Sequence, residues 1–254
     1  MNPQLIQHLK RLRLSGLVST LEVRLQEAAG NRLDHAEFLE LIVNDELAVR
    51  ADRAVARRVQ AARFRDRRTL EDFDFSFNPS INRRQISELA TCRFIREQRD
   101  VLLIGPPGVG KSHLAQALGH QAARSGLTVL YRSIFDAIGE LMQAEATGQS
   151  ARIIARYLKP DLFILDDMGL KKLPVHAGEH LFEIIMRRYE LRSTIMTSNR
   201  PLDEWGKLVG DVPTATAILD RFLDRAEVIQ ITGKSYRLKD KACEPQEGRA
   251  KEKK

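Results

Sequence analysis

The spacing of apolar residues changes along the chain, and the change divides it. Leucines at 5, 9, 12, 17, 21 and 25 recur at helical spacing, with Ser15-Gly16 as the expected break between two short helices. Asp34-His-Ala-Glu37 has the form of a capping box, in which Asp34 accepts from first-turn amides and Glu37 reaches back. It predicts a long helix with Phe38, Leu41, Ile42, Val49, Ala56 and Val59 on one side. Another helix is expected over about 82–95. From there short apolar runs near 101–104, 128–131, 162–165, 195–198 and 228–231 alternate with helical stretches at about 133–142, 150–158 and 217–225. Four consecutive apolar residues suit a strand buried on both faces, and such alternation is the signature of a parallel sheet covered by helices. The expected fold is α/β with a small all-helical region before it. The boundaries are placed at 1–68 for the helical basic region, 69–238 for the α/β domain and 239–254 for a polar tail without fixed structure, too short for a helical lid.

Chemistry enters at the first strand. It runs into Gly105-Pro106-Pro107-Gly108-Val109-Gly110-Lys111-Ser112, the full G-x-x-x-x-G-K-S pattern, followed by His113 and the helical period of Leu114, Ala117 and Leu118. Glycines let the loop amides approach an anion, and the helix N-terminus adds its positive end. Lys111 is expected on the β- and γ-phosphates of a nucleotide and the Ser112 hydroxyl on Mg²⁺. His113 either orients the loop or packs its helix. The third strand ends in Asp166-Asp167. Asp166 is the expected partner of the hydrated Mg²⁺. Asp167 stands where many ATPases place a glutamate that orients and deprotonates the attacking water, and it is one methylene shorter. Asn199 ends the fourth run, at a sheet edge where ligands bind, and is expected to hydrogen-bond the water or a γ-phosphate oxygen. Arg221, with Arg225 second to it, lies where an arginine can project into a neighbouring subunit's site. A local ion pair with Asp220 or Asp224 is the alternative.

Charge bears on the partner. Net charge is +7 and the pI is near 9.6, which favours an acidic polymer, although many solvated proteins are also basic. Arg50, Arg53 and Arg57 form a stripe on the long helix, and Arg58, Arg63, Arg65, Arg67 and Arg68 continue it, diluted by Asp52 and Asp66. Arg152, Arg156 and Lys159 form a second basic group. Each is either a phosphate-backbone contact or a solvated face. Cys92 and Cys243 lack metal-ligand spacing, and there is neither a bilayer-spanning apolar run nor a secretory segment, so a reduced cytoplasmic protein is expected. Phe73, Phe75 and Phe77 alternate in a segment that either borders the adenine or pins the N-terminal helices to the core.

Several of these segments together resemble the IstB-like ATP-binding proteins that assist transposases of bacterial insertion sequences, members of the AAA+ class related to the helicase loader DnaC and the initiator DnaA. The marks are Gly105 to Ala115, Leu70-Glu-Asp-Phe-Asp-Phe75, Thr197-Ser-Asn-Arg200, Trp205, Asp211, Ala217-Ile-Leu-Asp-Arg221 and Gly233-Lys-Ser-Tyr-Arg237. The resemblance implies an ATPase using ATP and Mg²⁺. It also implies ATP-controlled assembly of an oligomer on double-stranded DNA, recruitment of a transposase and stimulation of insertion. Two alternatives are a helicase loader preferring single strands and a nucleotide-gated DNA scaffold that seldom hydrolyses ATP.

Overall fold

The computed structural model describes residues 3–169, 177–205 and 212–238. The chain divides into two units, residues 1–58 and 59–254, so the ten residues before 69 belong with the second.

In the first unit, α1 spans Pro3–Arg11, α2 Ser15–Asn31 and α3 His35–Ala62, whose last four residues fall in the second unit. The capping box forms as expected: the Glu37 amide donates to Asp34 at 2.8 Å and the Asp34 amide to Glu37 at 2.9 Å. The break between α1 and α2 falls at 12–14, and Ser15-Gly16 instead opens α2. The glycine is there for close approach: a Cβ on Gly16 would lie 2.9 Å from the Glu46 Cα. Buried Glu46 then accepts from the Gly16 and Leu17 amides at 2.7 and 3.1 Å, capping α2 from another helix. Leu17, Leu21 and Ile42 form the small core, with Leu9, Leu14 and Phe38 against it, whereas Leu5, Leu12, Leu25 and Ala56 are exposed.

The second unit replaces the single helix expected over 82–95 by α4, Arg83–Leu89, and α5, Arg93–Arg96. Asn82 caps α4 by accepting from the Arg84 and Gln85 amides, and Cys92 in the left-handed region (φ 60°) breaks the helical path. The strands are β1 Asp100–Ile104, β2 Val129–Ser133, β3 Leu162–Met168, β4 Ser193–Ser198 and β5 Ala226–Gln230. They pair in parallel in the order β2-β3-β4-β1-β5. The helices are α6 Lys111–Arg124, α7 Ile134–Ala146, α8 Ser150–Leu158, α9 Ala177–Arg188 and α10 Val212–Asp224. Because side chains alternate across a strand, Leu102, Leu130, Phe163, Leu165 and Met196 face one core with α7 to α10. Val101, Leu103, Val129, Ile164 and Ile195 face the other, with α4, α5 and α6. After β5 a 3-10 turn covers Tyr236–Leu238; the expected tail at 239–254, with the question of a lid, and Asp211 lie outside the described residues. Among the described residues no helix is long and apolar enough to cross a membrane.

The amino-terminal edge of the sheet is tied by Arg188, which is 1% exposed. Its guanidinium donates to the carbonyls of Tyr157, Pro160 and Ser193 at 2.9, 3.0 and 2.5 Å and to Thr194 Oγ1 at 3.1 Å. Asp100, whose carboxyl burial pushes up to about 7, accepts from the Thr194 amide at 2.6 Å and feels the Arg188 charge. Arg188→Ala strips a donor from these carbonyls and from that of Leu158, at 3.4 Å, and leaves Asp100 without that charge. It should cost about 3–5 kcal/mol of stability, read from the urea unfolding midpoint at constant m.

Candidate nucleotide site

The carboxyl ends of β1, β3 and β4 open into a cleft of about 650 Å³. Its lining includes the loop from Pro107 to Ser112, then His113, Asp166, Asp167 and Asn199, and further Tyr131, Arg65 and Arg237. β4 lies between β1 and β3, so its end stands between the phosphate loop and the two aspartates.

The loop needs its glycines where other elements touch it. Gly108 has φ 82°, and a Cβ there would fall 2.0 Å from Ser235 Oγ; at Gly110, φ 105°, it would fall 2.7 Å from the Phe73 ring. The Tyr236 amide donates to the Gly108 carbonyl at 2.9 Å, so the segment after β5 holds the loop from outside. Lys111 opens α6 and is 5% exposed, with Nζ donating to the carbonyls of Gly105 and Pro106 at 2.7 and 2.8 Å. Burial pulls its ammonium down to about 8 against the opposing pull of Asp166 and Asp167.

Asp166 sits below the loop, 1% exposed, and gathers three hydroxyls. Ser112 Oγ donates to it at 2.9 Å, Tyr131 OH at 2.7 Å, and Thr197 Oγ1 makes a third contact. β3 carries both carboxylates near its end, as expected, and runs one residue beyond them to Met168. Neighbours in a regular strand point to opposite faces, yet here both aspartates line the cleft. The register shift between Leu165 and Met168 and the left-handed Asp167 (φ 66°) make this possible, with the Asp167 amide held by Thr197 Oγ1 at 2.9 Å. Burial, then adjacent Asp166, raises the Asp167 pKa, while Arg65, Lys111 and Arg237 oppose the rise.

Of the residues expected from sequence, those from Pro107 to His113 with Asp166, Asp167 and Asn199 line the cleft, and Gly105 and Pro106 bind Lys111 through their carbonyls. His113 Nε2 lies 2.9 Å from the Thr69 carbonyl oxygen and its ring meets Phe73 edge-on at 5.0 Å. Phe73 and Phe77 line the cleft; Phe73 and Phe75 also pack against the α4–α6 core. Arg221 is exposed on α10, outside the cleft lining, with its guanidinium 5.5 Å from the Tyr189 ring centre. Arg225 donates to the Glu97 carbonyl at 3.2 Å. In the basic groups, Arg50 pairs with Glu46 at 2.7 Å, Arg53 donates to Ser15 Oγ at 2.5 Å and Arg156 pairs with Glu140 at 3.3 Å. Arg57 and Arg152 are exposed and Arg58 is half-buried.

No place in this cleft follows from the sequence for Tyr131, Thr197, Arg65 or Arg237. Thr197 and Arg237 stand inside the segments that carry the family resemblance, Arg65 in the basic run after the long helix and Tyr131 in an apolar strand, and only β2–β3 pairing and the course of the chain after α3 bring Tyr131 and Arg65 to the cleft.

The lowered pKa of the Lys111 ammonium sets a pH dependence. It loses its proton near pH 8, and an anionic phosphate binds the protonated form. Nucleotide affinity should hold from pH 6 to 7.5 and then weaken by up to about tenfold per pH unit above 8, a trend absent in Lys111→Arg, as titration calorimetry at several pH values would show.

Residues 7–243 match the family of IstB-like ATP binding proteins. A protein of Pseudomonas aeruginosa, named for ATP binding in insertion sequence IS21, is 39% identical over 92% of this chain and 88% of its own length. A second, of Geobacillus stearothermophilus and named likewise for insertion sequence IS5376, is 33% identical over 95% of this chain and 96% of its own. Among solved structures, AMPPCP-bound DnaA from Aquifex aeolicus has a TM-score of 0.55 at 23% identity, covering 73% of this chain and 59% of that one. DnaI has a TM-score of 0.52 at 24% identity, covering 66% and 90%. The fold is thus that of an AAA+ phosphate-loop protein, and the match across nearly the whole chain places it in the IstB-like ATP-binding family of insertion sequences.

Proposed function

We propose that this protein hydrolyses ATP and uses the ATP-bound state to assemble on duplex DNA and bring a cognate transposase to it. The observation that carries the reading is the Ser112–Asp166 contact beneath the phosphate loop, with Asp167 and Asn199 lining the same cleft. The oxygen donors of Ser112 and Asp166 suit a hard divalent cation, so these residues would hold Mg²⁺, which supplies charge neutralisation at the phosphates. The loop amides and Lys111 bind and orient the β- and γ-phosphates. Asn199 aligns a water. Its oxygen bonds to the terminal phosphorus, the bond to the bridging oxygen of ADP breaks, and the water's proton passes to Asp167, made more basic than a solvated aspartate by burial and by Asp166. Arg221 lies outside its own chain's cleft lining, as suits a residue that completes a neighbour's site in an oligomer. The insertion-sequence relatives support the transposition role, and the exposed Arg57 and Arg152 supply charge for a phosphate backbone.

The deciding experiment compares binding to duplex and single-stranded DNA of equal length, at one salt concentration, with ATP and with ADP. Cooperative, ATP-dependent duplex binding is expected. A preference for single strands would indicate a helicase loader, assembly without turnover a nucleotide-gated scaffold, and no DNA binding with either nucleotide would remove the proposal. Lys111→Ala should abolish ATP-dependent assembly. Arg221→Ala should keep nucleotide binding yet lose at least about tenfold in turnover, or lose oligomer order in sedimentation; unchanged turnover per subunit would leave Arg221 with its Tyr189 contact alone.

A further inference from the structure

Among the described residues, four cationic residues line the cleft, Arg65, Arg68, Lys111 and Arg237, and the charges of three of them, Lys111, Arg65 and Arg237, act on Asp167; of these three Lys111 belongs to the phosphate loop. The others are Arg237, from the turn after β5, and Arg65, from the segment three residues beyond the end of α3. Arg65 is exposed, and no ion pair or hydrogen bond holds it among the described residues. Its charge nevertheless acts on both the Asp167 carboxyl and the Tyr131 hydroxyl, which donates to Asp166. Arg65 therefore lines the same cleft as the two carboxylates and Lys111.

The backbone on either side of Arg65 is anchored, and both anchors lie on α6, the helix that Lys111 opens. Before it, the Phe64 ring stacks on His120 with centres 4.0 Å apart. It also covers Gly119 so closely that a Cβ there would come within 2.7 Å of the ring. After it, the Asp66 amide donates to Gln116 Oε1 at 3.0 Å, and Gln116 Nε2 in turn donates to the Ser112 carbonyl at 3.3 Å. A fixed backbone carrying an uncommitted guanidinium into an anion site is the arrangement expected of a phosphate ligand, because little conformational freedom remains to be lost on binding and the planar fork can take two oxygens.

From this geometry we infer that Arg65 contacts the terminal phosphate of ATP in cis and makes the site distinguish ATP from ADP. The assignment rests on the cleft being an ATP site, as proposed above. Arg65 follows α3 so closely that a terminal-phosphate contact would also tie the last turn of that helix to the nucleotide state.

The test is titration calorimetry of the full chain with ATP and with ADP, each with Mg²⁺, for the wild type, Arg65→Ala, Arg65→Lys and Lys111→Ala. Arg65→Ala should weaken ATP by about tenfold or more and leave ADP unchanged, with Arg65→Lys recovering part of the loss. A wild-type ATP to ADP ratio in Arg65→Ala overturns the inference, and so does an equal loss of both nucleotides, which would mark a diffuse charge effect. If the wild type binds neither nucleotide, or Lys111→Ala binds both as well as the wild type does, the ATP site itself falls and the role of Arg65 with it. If those controls behave as expected and Arg65→Ala alone fails to discriminate, only the assignment of Arg65 is lost.

Discussion

The site depends on a single buried carboxylate. Asp166 lies beneath the phosphate loop, almost without solvent, and a carboxylate so placed needs hydrogen-bond partners in place of water. Hydroxyls from three elements compensate it: Ser112 at the start of α6, Tyr131 on β2 and Thr197 on β4. Each bond joins one element to β3, so the need to solvate one charge also positions the loop, the neighbouring strands and the second aspartate. Thr197 does two jobs, contacting Asp166 and accepting from the Asp167 amide across the strand irregularity. The local strain at Asp167 is the cost of turning two adjacent carboxylates into one cleft.

Strand order sets what faces what. With β4 between β1 and β3, the residue that follows β4 comes out between the phosphate loop and the aspartates, which is why Asn199 reaches the cleft. The other edge of the sheet is held by a different device, in which one buried guanidinium serves the carbonyls at the ends of α8 and the starts of β3 and β4. Two further segments close on the top from outside the sheet: the turn after β5, bonded to the Gly108 carbonyl, and the segment after α3, anchored on α6. Both carry an arginine into the cleft.

Much of this was legible in the linear chain because its signals are local. The phosphate loop needs glycines where the backbone turns and a lysine and a hydroxyl at fixed offsets, and all of these lie within eight residues. The capping box at Asp34 and Glu37 formed as its spacing predicted. Ser15-Gly16 misled for an equally physical reason: a glycine that ends a helix and one that lets another helix approach look alike in sequence, and only Glu46, thirty residues on, separates them. The expected helix over 82–95 failed at Cys92, whose left-handed backbone no propensity announces.

The sequence by itself determined the alternation of strands and helices, the loop, the paired aspartates and the polar end of β4, since each is written in neighbouring residues and their period. Only the tertiary structure decided that Asp167 turns into the cleft beside Asp166, that Tyr131 and Thr197 sustain the buried charge, and that Arg65 and Arg237 arrive from opposite ends of the domain. Those facts depend on which strands lie side by side and on where two connecting segments come to rest, and such distances through space leave no spacing along the chain to read.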